Sequence, residues 1–146
     1  MAVTPTAAEL ADYTGFLVRR AQQLHAAVWQ REASAEFTSV QFGALNLVHA
    51  NPGIDQRMLG EHLQLDRSTI ADVCARLERR GLIQRDRDPD DRRRNILSLT
   101  EQGEAVLAEL LPRADRVHEV LVGGLSEPDR SELHRLLTLL LADTAG

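Results

Sequence analysis

The sequence predicts a mainly α-helical protein with a small β-hairpin wing, that is, a winged helix-turn-helix domain flanked by N- and C-terminal helices. Three observations predict this class. Apolar residues recur at helical spacing over most of the 146 residues. A helical stretch with clear start and stop signals runs from Asp66 to Gly81. Two short stretches of strand-forming residues follow it, and the turn between them carries three consecutive arginines.

The stretch from Asp66 to Gly81 has the signals of one amphipathic helix. Asp66 can cap its start, because a short acidic side chain accepts hydrogen bonds from the unpaired amides of a first turn. Gly81 follows Arg79 and Arg80, where a left-handed C-cap and cations that complement the helix dipole are expected. One face carries the apolar residues Ile70, Val73, Cys74 and Leu77. The opposite face carries Ser68, Asp72 and Arg79, flanked by Thr69 and Arg76.

The pattern after this helix is that of a hairpin. Residues 82–85 and 95–99 are strand candidates, and Pro89 lies in the charged turn between them. Thr100 can cap the helix that follows. A helix and a hairpin with arginines 92–94 at its tip outline a winged helix-turn-helix. In such domains the recognition helix enters the major groove of DNA, and the wing reaches the adjacent backbone or minor groove.

Two motifs in this region resemble those of a known family. The wing signature of MarR-type transcriptional regulators is similar to the run Asp88-Pro89-x-Asp91-x-Arg93-x-x-x-Leu97-x-Leu99-Thr100-x-x-Gly103. The paired helices of that family are similar to Gln56-x-x-Leu59-Gly60-x-x-Leu63-x-Leu65-Asp66-x-Ser68-Thr69-Ile70. The resemblance covers nearly the whole chain and is closest to repressors that sense aromatic carboxylic acids. It implies a homodimer that binds a pseudo-palindromic double-stranded DNA operator and a small aromatic carboxylate effector.

The length is that of one domain, residues 1–146. We expect one long N-terminal helix from about Thr6 to Ala33 and a leucine-rich helix at the C-terminal end, with leucines on more than one face. The resemblance implies dimerisation helices at residues 6–34 and 104–146, and a DNA-binding lobe at residues 38–103.

The net charge of −5 would argue against a DNA-binding protein if it were evenly distributed. From Arg67 to Arg94, however, nine arginines and six acidic residues give a net charge of +3. The rest of the chain has 8 basic and 16 acidic residues, a net charge of −8. Binding to DNA depends on the local field of one face, so an acidic remainder is tolerable. The alternative is a solvated surface laced with arginine–aspartate pairs.

The candidate DNA contacts lie on the recognition helix and the wing. The side chains that can form hydrogen bonds with base edges are Ser68, Thr69, Asp72 and Arg76. Arg67 is expected to lie near the phosphates. For Asp72 we prefer a simpler role, an ion pair with Arg76 one turn later. The resemblance implies that Arg93 enters the minor groove, braced by Asp91, and that Arg92 and Arg94 contact phosphates.

The candidate effector contacts are Arg19, Arg20 and His25 on the N-terminal helix. An arginine can hold a carboxylate through two parallel hydrogen bonds, and a histidine can hydrogen-bond a phenol or carboxylate. The resemblance implies that this helix borders the ligand pocket. The alternative is an ion pair between helices at the dimer seam and a solvent-facing histidine. Trp29, on the same helix, is expected to lie off its apolar stripe.

Other classes of function lack their motifs. The sequence has no P-loop, dinucleotide fingerprint, zinc-protease motif or cysteine pair, so we predict no cofactor, no metal and no enzymatic activity. Cys74 is predicted to be a buried structural thiol. No signal peptide or membrane span is apparent, and we expect a cytoplasmic protein. The remaining alternatives are a regulator of another anionic ligand or of a drug or stress response, and a winged-helix protein-interaction module.

Overall fold

The computed structural model describes residues 2–142, and within them it contains seven helices and one antiparallel pair of strands. The helices are α1 (Ala7–Leu10), α2 (Thr14–Glu32), α3 (Ser39–Ala50), α4 (Gln56–Leu63), α5 (Arg67–Arg79), α6 (Glu101–Leu121) and α7 (Glu127–Ala142), and the strands are β1 (Ile83–Arg87) and β2 (Asn95–Leu99). The predicted fold class is therefore confirmed. The last four residues of the predicted segment 104–146 lie outside the described residues.

Short polar side chains begin the helices of the central lobe. The Asp66 carboxylate accepts a hydrogen bond of 2.7 Å from the amide of Thr69 at the start of α5. Thr100 accepts from the amide of Gly103 at the start of α6. Gly81 has a φ of +74°, as expected for a left-handed residue after a helix. These predicted caps are confirmed, and they explain why the helices begin and end where the sequence signals lie.

The prediction of one continuous helix from Thr6 to Ala33 was wrong. The chain forms the short α1, turns at residues 11–13, and begins α2 at Thr14. The turn is closed by a hydrogen bond from the Tyr13 amide to the Leu10 carbonyl. The residues from Asp12 to Gly15 have weak helix propensity, and Asp, Thr and Gly are common in turns, so the helical pattern did not extend through them.

Two groups of buried apolar residues hold the fold together. The larger one fills the space between α3, α4, α5, the hairpin and the start of α6, and includes Leu45, Leu59, Leu77, Leu97 and Leu107. The smaller one joins α2 to α6 and consists of Val28, Trp29, Ala33 and Val117. The side chain of Phe42 packs against both groups. The molecule thus has a central lobe and a helical lobe that meet at α3.

The hairpin is fixed to the helices by backbone pairing. β1 pairs with β2 in a register that places Ile83 opposite Leu99. The amide of Leu97 also donates to the carbonyl oxygen of Ile54 at 2.9 Å, and Asp55 forms an isolated bridge with Ile96. Because the Ile54 segment leads directly into α4, this pairing orients the wing relative to the helix-turn-helix.

The terminal helices leave much apolar surface exposed. On α7, Leu133, Leu136, Leu137 and Leu140 follow helical spacing, and all of them are at least 40% exposed. On α2, Leu17 and Leu24 are about half exposed. No helix among residues 2–142 combines the length and the apolarity that crossing a bilayer requires.

Candidate nucleic-acid interface

The recognition helix α5 presents a polar face to solvent. Its apolar side chains Ile70, Val73, Cys74 and Leu77 are buried in the larger core. The sequence-predicted residues Ser68, Thr69, Asp72 and Arg76 are all exposed. Burial of one face therefore decides which residues of α5 can reach a partner, and the predicted set lies on the accessible side.

The exposed residues of α5 also contact one another. Asp72 Oδ2 lies 3.0 Å from Arg76 Nε, which is the ion pair that the spacing predicted. The hydroxyl of Ser68 donates to the capping carboxylate of Asp66 at 3.0 Å. Ser68 retains a free acceptor on its hydroxyl, and the Asp72 carboxylate orients the Arg76 guanidinium toward solvent.

Arg94 ties the wing to the start of α4. Its Nε lies 2.8 Å from Asp55 Oδ2, and its Nη1 lies 2.8 Å from Asp88 Oδ2. Asp55 is only 8% exposed and also accepts a hydrogen bond from the Met58 amide. Burial alone would raise the pKa of the Asp55 carboxyl, but the hydrogen bonds from Met58 and Arg94 outweigh it, and the pKa lies below its usual range. The Arg94 guanidinium is thus engaged within the protein.

Arg93 and Arg92, in contrast, extend into solvent. The side chain of Arg93 is 92% exposed, and its Nε is 3.2 Å from Asp91 Oδ1. Asp91 also accepts from the Arg93 amide, and the hydrogen bonds from Arg93 hold the pKa of the Asp91 carboxyl below its usual range. Arg92 is exposed as well. The expected brace of Arg93 by Asp91 is present in the structure.

An open cleft of about 700 Å³ lies between the wing, α4 and the start of α5. Four arginines from three separate parts of the sequence line it, namely Arg57, Arg67, Arg93 and Arg94. Arg57 was not among the residues predicted from the sequence, because its neighbours in the cleft come from α5 and the wing. The tertiary fold therefore adds a cation from the first helix of the helix-turn-helix to those of α5 and the wing.

The nine arginines between residues 67 and 94 divide into two groups. Five have acidic partners: Arg76, Arg80, Arg85, Arg93 and Arg94. The other four, Arg67, Arg79, Arg87 and Arg92, make no ion pair or side-chain hydrogen bond within residues 2–142. The proposed alternative of a surface laced with arginine–aspartate pairs therefore describes part of this region, and the four unpaired cations remain available to an anionic partner.

Arg85 is a structural residue that the sequence did not identify. Its guanidinium donates to both carboxylate oxygens of Glu78 on α5, at 3.2 and 2.9 Å, and to Gln56 Oε1 on α4 at 3.0 Å. It thereby joins β1 to both helices of the helix-turn-helix. The separation of these partners along the chain left no local pattern that could have predicted the contact.

The three candidate effector residues on α2 point in different directions. Arg19 and Arg20 are exposed, and His25 is half-buried. At about 100° per residue, Arg20 falls about 60° to one side of the exposed Leu17, His25 falls about 80° to its other side, and Arg19 faces away from both. Within residues 2–142, none of the three side chains makes a hydrogen bond or ion pair. One protomer does not bring them together on one face.

Trp29 was expected to lie off the apolar stripe of α2, but the structure places it in the smaller core. It is 6% exposed, and its indole Nε1 donates to the carbonyl oxygen of Phe37 at 2.6 Å. Its ring also packs against that of Phe42, with 5.5 Å between the centroids. Val28, the preceding residue, is buried as well, so the buried face at this end of α2 extends over both positions.

Cys74, on the inner face of the recognition helix, is fully buried. Burial raises the pKa of its thiol to about 11, with a further contribution from Glu78 that the nearby Arg85 opposes. The thiol is therefore protonated near neutral pH and inaccessible to oxidants. This agrees with the predicted structural role.

The chain is similar in sequence and structure to known transcriptional regulators. The sequence profile of the MarR family matches residues 37–94. The transcriptional regulator HosA of Escherichia coli O111:H- is 35% identical over 124 residues, which cover 85% of this chain and 91% of HosA. PcaV, a transcriptional regulator from Streptomyces coelicolor solved with its natural ligand, has a TM-score of 0.89 at 42% identity over 100% of both chains. BpsR of Bordetella bronchiseptica, whose DNA binding is regulated by 6-hydroxynicotinic acid, has a TM-score of 0.85 at 28% identity over 94% of this chain and 97% of BpsR.

Proposed function

Because the chain belongs to the MarR family of transcriptional regulators, we propose that it is a cytoplasmic, homodimeric repressor that leaves its DNA operator when it binds a small aromatic carboxylic acid. It acts by binding and not by catalysis. The observation that carries the proposal is the placement of the wing. The contacts of Arg94 with Asp55 and Asp88 set the exposed Arg93 beside the same cleft that Arg67 lines at the start of α5.

On DNA, we assign α5 to the major groove and Arg93 to the adjacent minor groove. Ser68, Thr69 and Arg76 are the residues that read base edges, and Asp72 orients Arg76 through their ion pair. Arg67 and Arg92 contact phosphates, since both are exposed and have no acidic partner within residues 2–142. Arg94 holds the wing in place, because its guanidinium is already engaged by two carboxylates.

The dimer follows from the terminal helices, which we assign as residues 6–34 and 104–146 around a DNA-binding lobe at residues 38–103. A second apolar surface would cover the exposed leucines of the two helices, which are Leu133, Leu136, Leu137 and Leu140 on α7 and Leu17 and Leu24 on α2. A two-fold axis between the protomers places two copies of α5 on successive major grooves, about one helical turn apart.

The effector site lies beside α2. Arg20 shares its face with the exposed leucines, so it is the arginine that dimerisation would bring to a buried pocket edge, where it can hold a carboxylate. The half-buried His25 and the exposed Arg19 complete the proposed set. That BpsR responds to 6-hydroxynicotinic acid supports an aromatic acid as the ligand class. The acid favours a spacing of the two α5 helices that misfits DNA, so acid and DNA weaken each other's binding by the same factor.

The test is fluorescence anisotropy with duplex DNA from the flanks of the protein's own gene, at fixed salt. We expect tight binding that weakens steeply as salt rises, and that one of benzoate, 4-hydroxybenzoate or 6-hydroxynicotinic acid abolishes. Absence of specific binding at low salt would contradict the proposed function and favour a protein-interaction module. Binding that none of the acids weakens would contradict only the ligand class.

Variants locate the effector site. Arg20→Ala should keep the DNA affinity but require a higher acid concentration for release, because it removes the carboxylate contact. Arg31→Ala is the matched control, since Arg31 is an exposed arginine of the same helix that pairs with Glu32 instead. If Arg19→Ala and Arg20→Ala both released DNA at the wild-type acid concentration, the carboxylate contact would be wrong.

A further inference from the structure

The loop between α2 and α3 contacts both the helical lobe and the recognition helix. On one side, Trp29 Nε1 of α2 donates to the carbonyl oxygen of Phe37 at 2.6 Å. On the other, the guanidinium carbon of Arg80 lies 4.1 Å from the centroid of the Phe37 ring. Arg80 Nη1 also donates to the carbonyl oxygen of Glu36 at 3.1 Å. A single residue of the loop, Phe37, is therefore held by α2 through its backbone and by Arg80 through its ring.

Arg80 is placed where it can act on the orientation of α5. It is the C-cap residue of that helix, so its side chain connects the end of the recognition helix to the loop. A cation over an aromatic ring is attracted by the quadrupole of the ring, and a cation at a helix C-terminus is favoured by the helix dipole. These contacts are directional, because the guanidinium must keep both its position over the ring and its hydrogen bond to Glu36.

The loop itself is held internally. The hydroxyl oxygen of Ser34 accepts hydrogen bonds from the amides of Glu36 and Phe37, both at 3.0 Å. Arg113 of α6 donates to the carbonyl oxygen of Ala33 at 3.2 Å. A segment of four residues with these bonds transmits a displacement of one end to the other better than a freely jointed loop.

We propose that Arg80 is a positioning residue, and that Trp29, Phe37 and Arg80 form a relay linking the DNA-binding state of α5 to α2. The inference rests on the proposed function, because it concerns how DNA at α5 and the helix assigned to the effector site affect each other. Coupling between two sites is reciprocal, so a link that lets α2 influence DNA affinity must also let bound DNA change the surroundings of α2. Phe42 provides a separate, apolar contact between the lobes, which has no charged group to orient α5.

The chain contains its own reporter for this relay. Trp29 is its only tryptophan, and its indole makes the first hydrogen bond of the relay. Selective excitation of tryptophan therefore follows one site per protomer. The experiment compares the Trp29 emission of the free protein with that of the protein saturated with the duplex used for the anisotropy titration. Because all of the protein is bound at saturation, a variant that changes only the DNA affinity does not change the measured difference in emission.

We expect DNA to shift or quench the Trp29 emission of the wild type. Arg80→Met should lose at least about half of this change, and Phe37→Leu, which keeps the backbone acceptor of Trp29, should lose a similar part. The double variant should lose no more than the larger single loss, because both substitutions interrupt the same contact. Arg80→Lys should keep most of the change, since an ammonium can still lie over the ring.

Arg79→Met is the matched control, since Arg79 is a neighbouring exposed arginine of α5 with no acidic partner within residues 2–142. It should keep the full change in emission. A full change in Arg80→Met, or no change in wild-type protein that binds DNA, would overturn the relay and leave the proposed function intact. A wild type that binds no DNA would overturn both. Far-UV circular dichroism of each variant confirms that the helices remain folded.

Discussion

At the scale of single residues, neighbours in the sequence have different roles because of what surrounds them. Arg93 and Arg94 are adjacent and chemically identical. The side chain of Arg93 is 92% exposed, whereas that of Arg94 lies 2.8 Å from carboxylates of both Asp55 and Asp88. The pattern of three arginines predicted a basic wing tip, but the engagement of Arg94 depends on Asp55, which caps a helix 39 positions earlier.

Replacement of these two arginines should separate binding from stability. Arg93→Ala should lower DNA affinity by at least about fivefold and reduce the dependence of log Kd on log salt by about one unit. Its urea midpoint should stay that of the wild type. Arg94→Met should lower the urea midpoint, because it leaves the buried carboxylate of Asp55 without its cation. Anisotropy and urea titrations measure the two effects, and a stability loss confined to Arg93→Ala would contradict the assignment.

Gly103 shows a second residue-scale requirement. It lies in the first turn of α6, against Leu82, the residue before β1, and a Cβ at this position would overlap the carbonyl oxygen of Leu82. We expect Gly103→Ala to destabilise the protein by about 1–3 kcal/mol, since backbone must move to admit a methyl group. Gly15→Ala is the control, because a Cβ there meets nothing within 4 Å and alanine favours helix. Urea unfolding of both variants checks the contrast.

At the scale of elements, the wing is held to the helix-turn-helix by a backbone bridge and one ionic contact. Asp55 has three roles: it caps α4, pairs with Ile96 in the isolated bridge and binds Arg94. Its lowered pKa means that the folded state prefers the carboxylate. Ionisation of Asp55 therefore contributes stability above the unfolded pKa of about 3.9, and this contribution is lost as the pH falls through the lower folded value.

This linkage predicts how an Asp55→Asn variant responds to acid. Near pH 7 it should be less stable than the wild type by about 1 kcal/mol, since asparagine still caps α4 but cannot pair with the charge of Arg94. The difference should shrink as the pH falls below about 4. Urea titrations at several pH values measure it. Asp90→Asn is the control, because the exposed Asp90 carboxylate makes no hydrogen bond or ion pair within residues 2–142. A difference that is constant with pH would exclude the ionic contribution.

At the scale of the whole molecule, the apolar side chains of the central lobe are well buried, whereas many of those on the terminal helices are not. The larger core contains eight or more apolar side chains with almost no exposure, whereas α7 has no buried residue among those described. A helix that is rich in leucine on several faces and still exposed is typical of a surface that a second copy covers. The fold of one protomer is therefore complete only in its DNA-binding part.

A charge introduced into the exposed α7 stripe should weaken the dimer. Leu137→Glu buries a carboxylate in an apolar contact and, under two-fold symmetry, places a like charge near it, so the dimer dissociation constant should rise at least about tenfold. Val40→Glu is a matched control, because Val40 on α3 is 39% exposed and Leu137 is 43% exposed. Sedimentation equilibrium measures both, and an unchanged association of Leu137→Glu would contradict the assigned interface.

The DNA-binding features that the sequence predicted were those that depend on local chemistry. The caps Asp66 and Thr100, the left-handed Gly81 and the Asp72–Arg76 pair all involve residues at most four apart, so their pattern is visible in the chain. The break after α1 was missed because leucine spacing continued across residues of weak helix propensity. Arg57 and Arg85 were missed because their neighbours come from other elements.

The sequence by itself determined the fold class, the helix ends, the buried face of α5 and the basic turn of the wing, because these follow from periodicity and from hydrogen bonds between near neighbours. Only the tertiary structure decided which arginine holds the wing and which one extends from it, that Trp29 lies in the core, and that the α2–α3 loop meets the end of the recognition helix. The physical reason is that these contacts join residues up to 44 positions apart, and their partners are selected by the packing of whole elements.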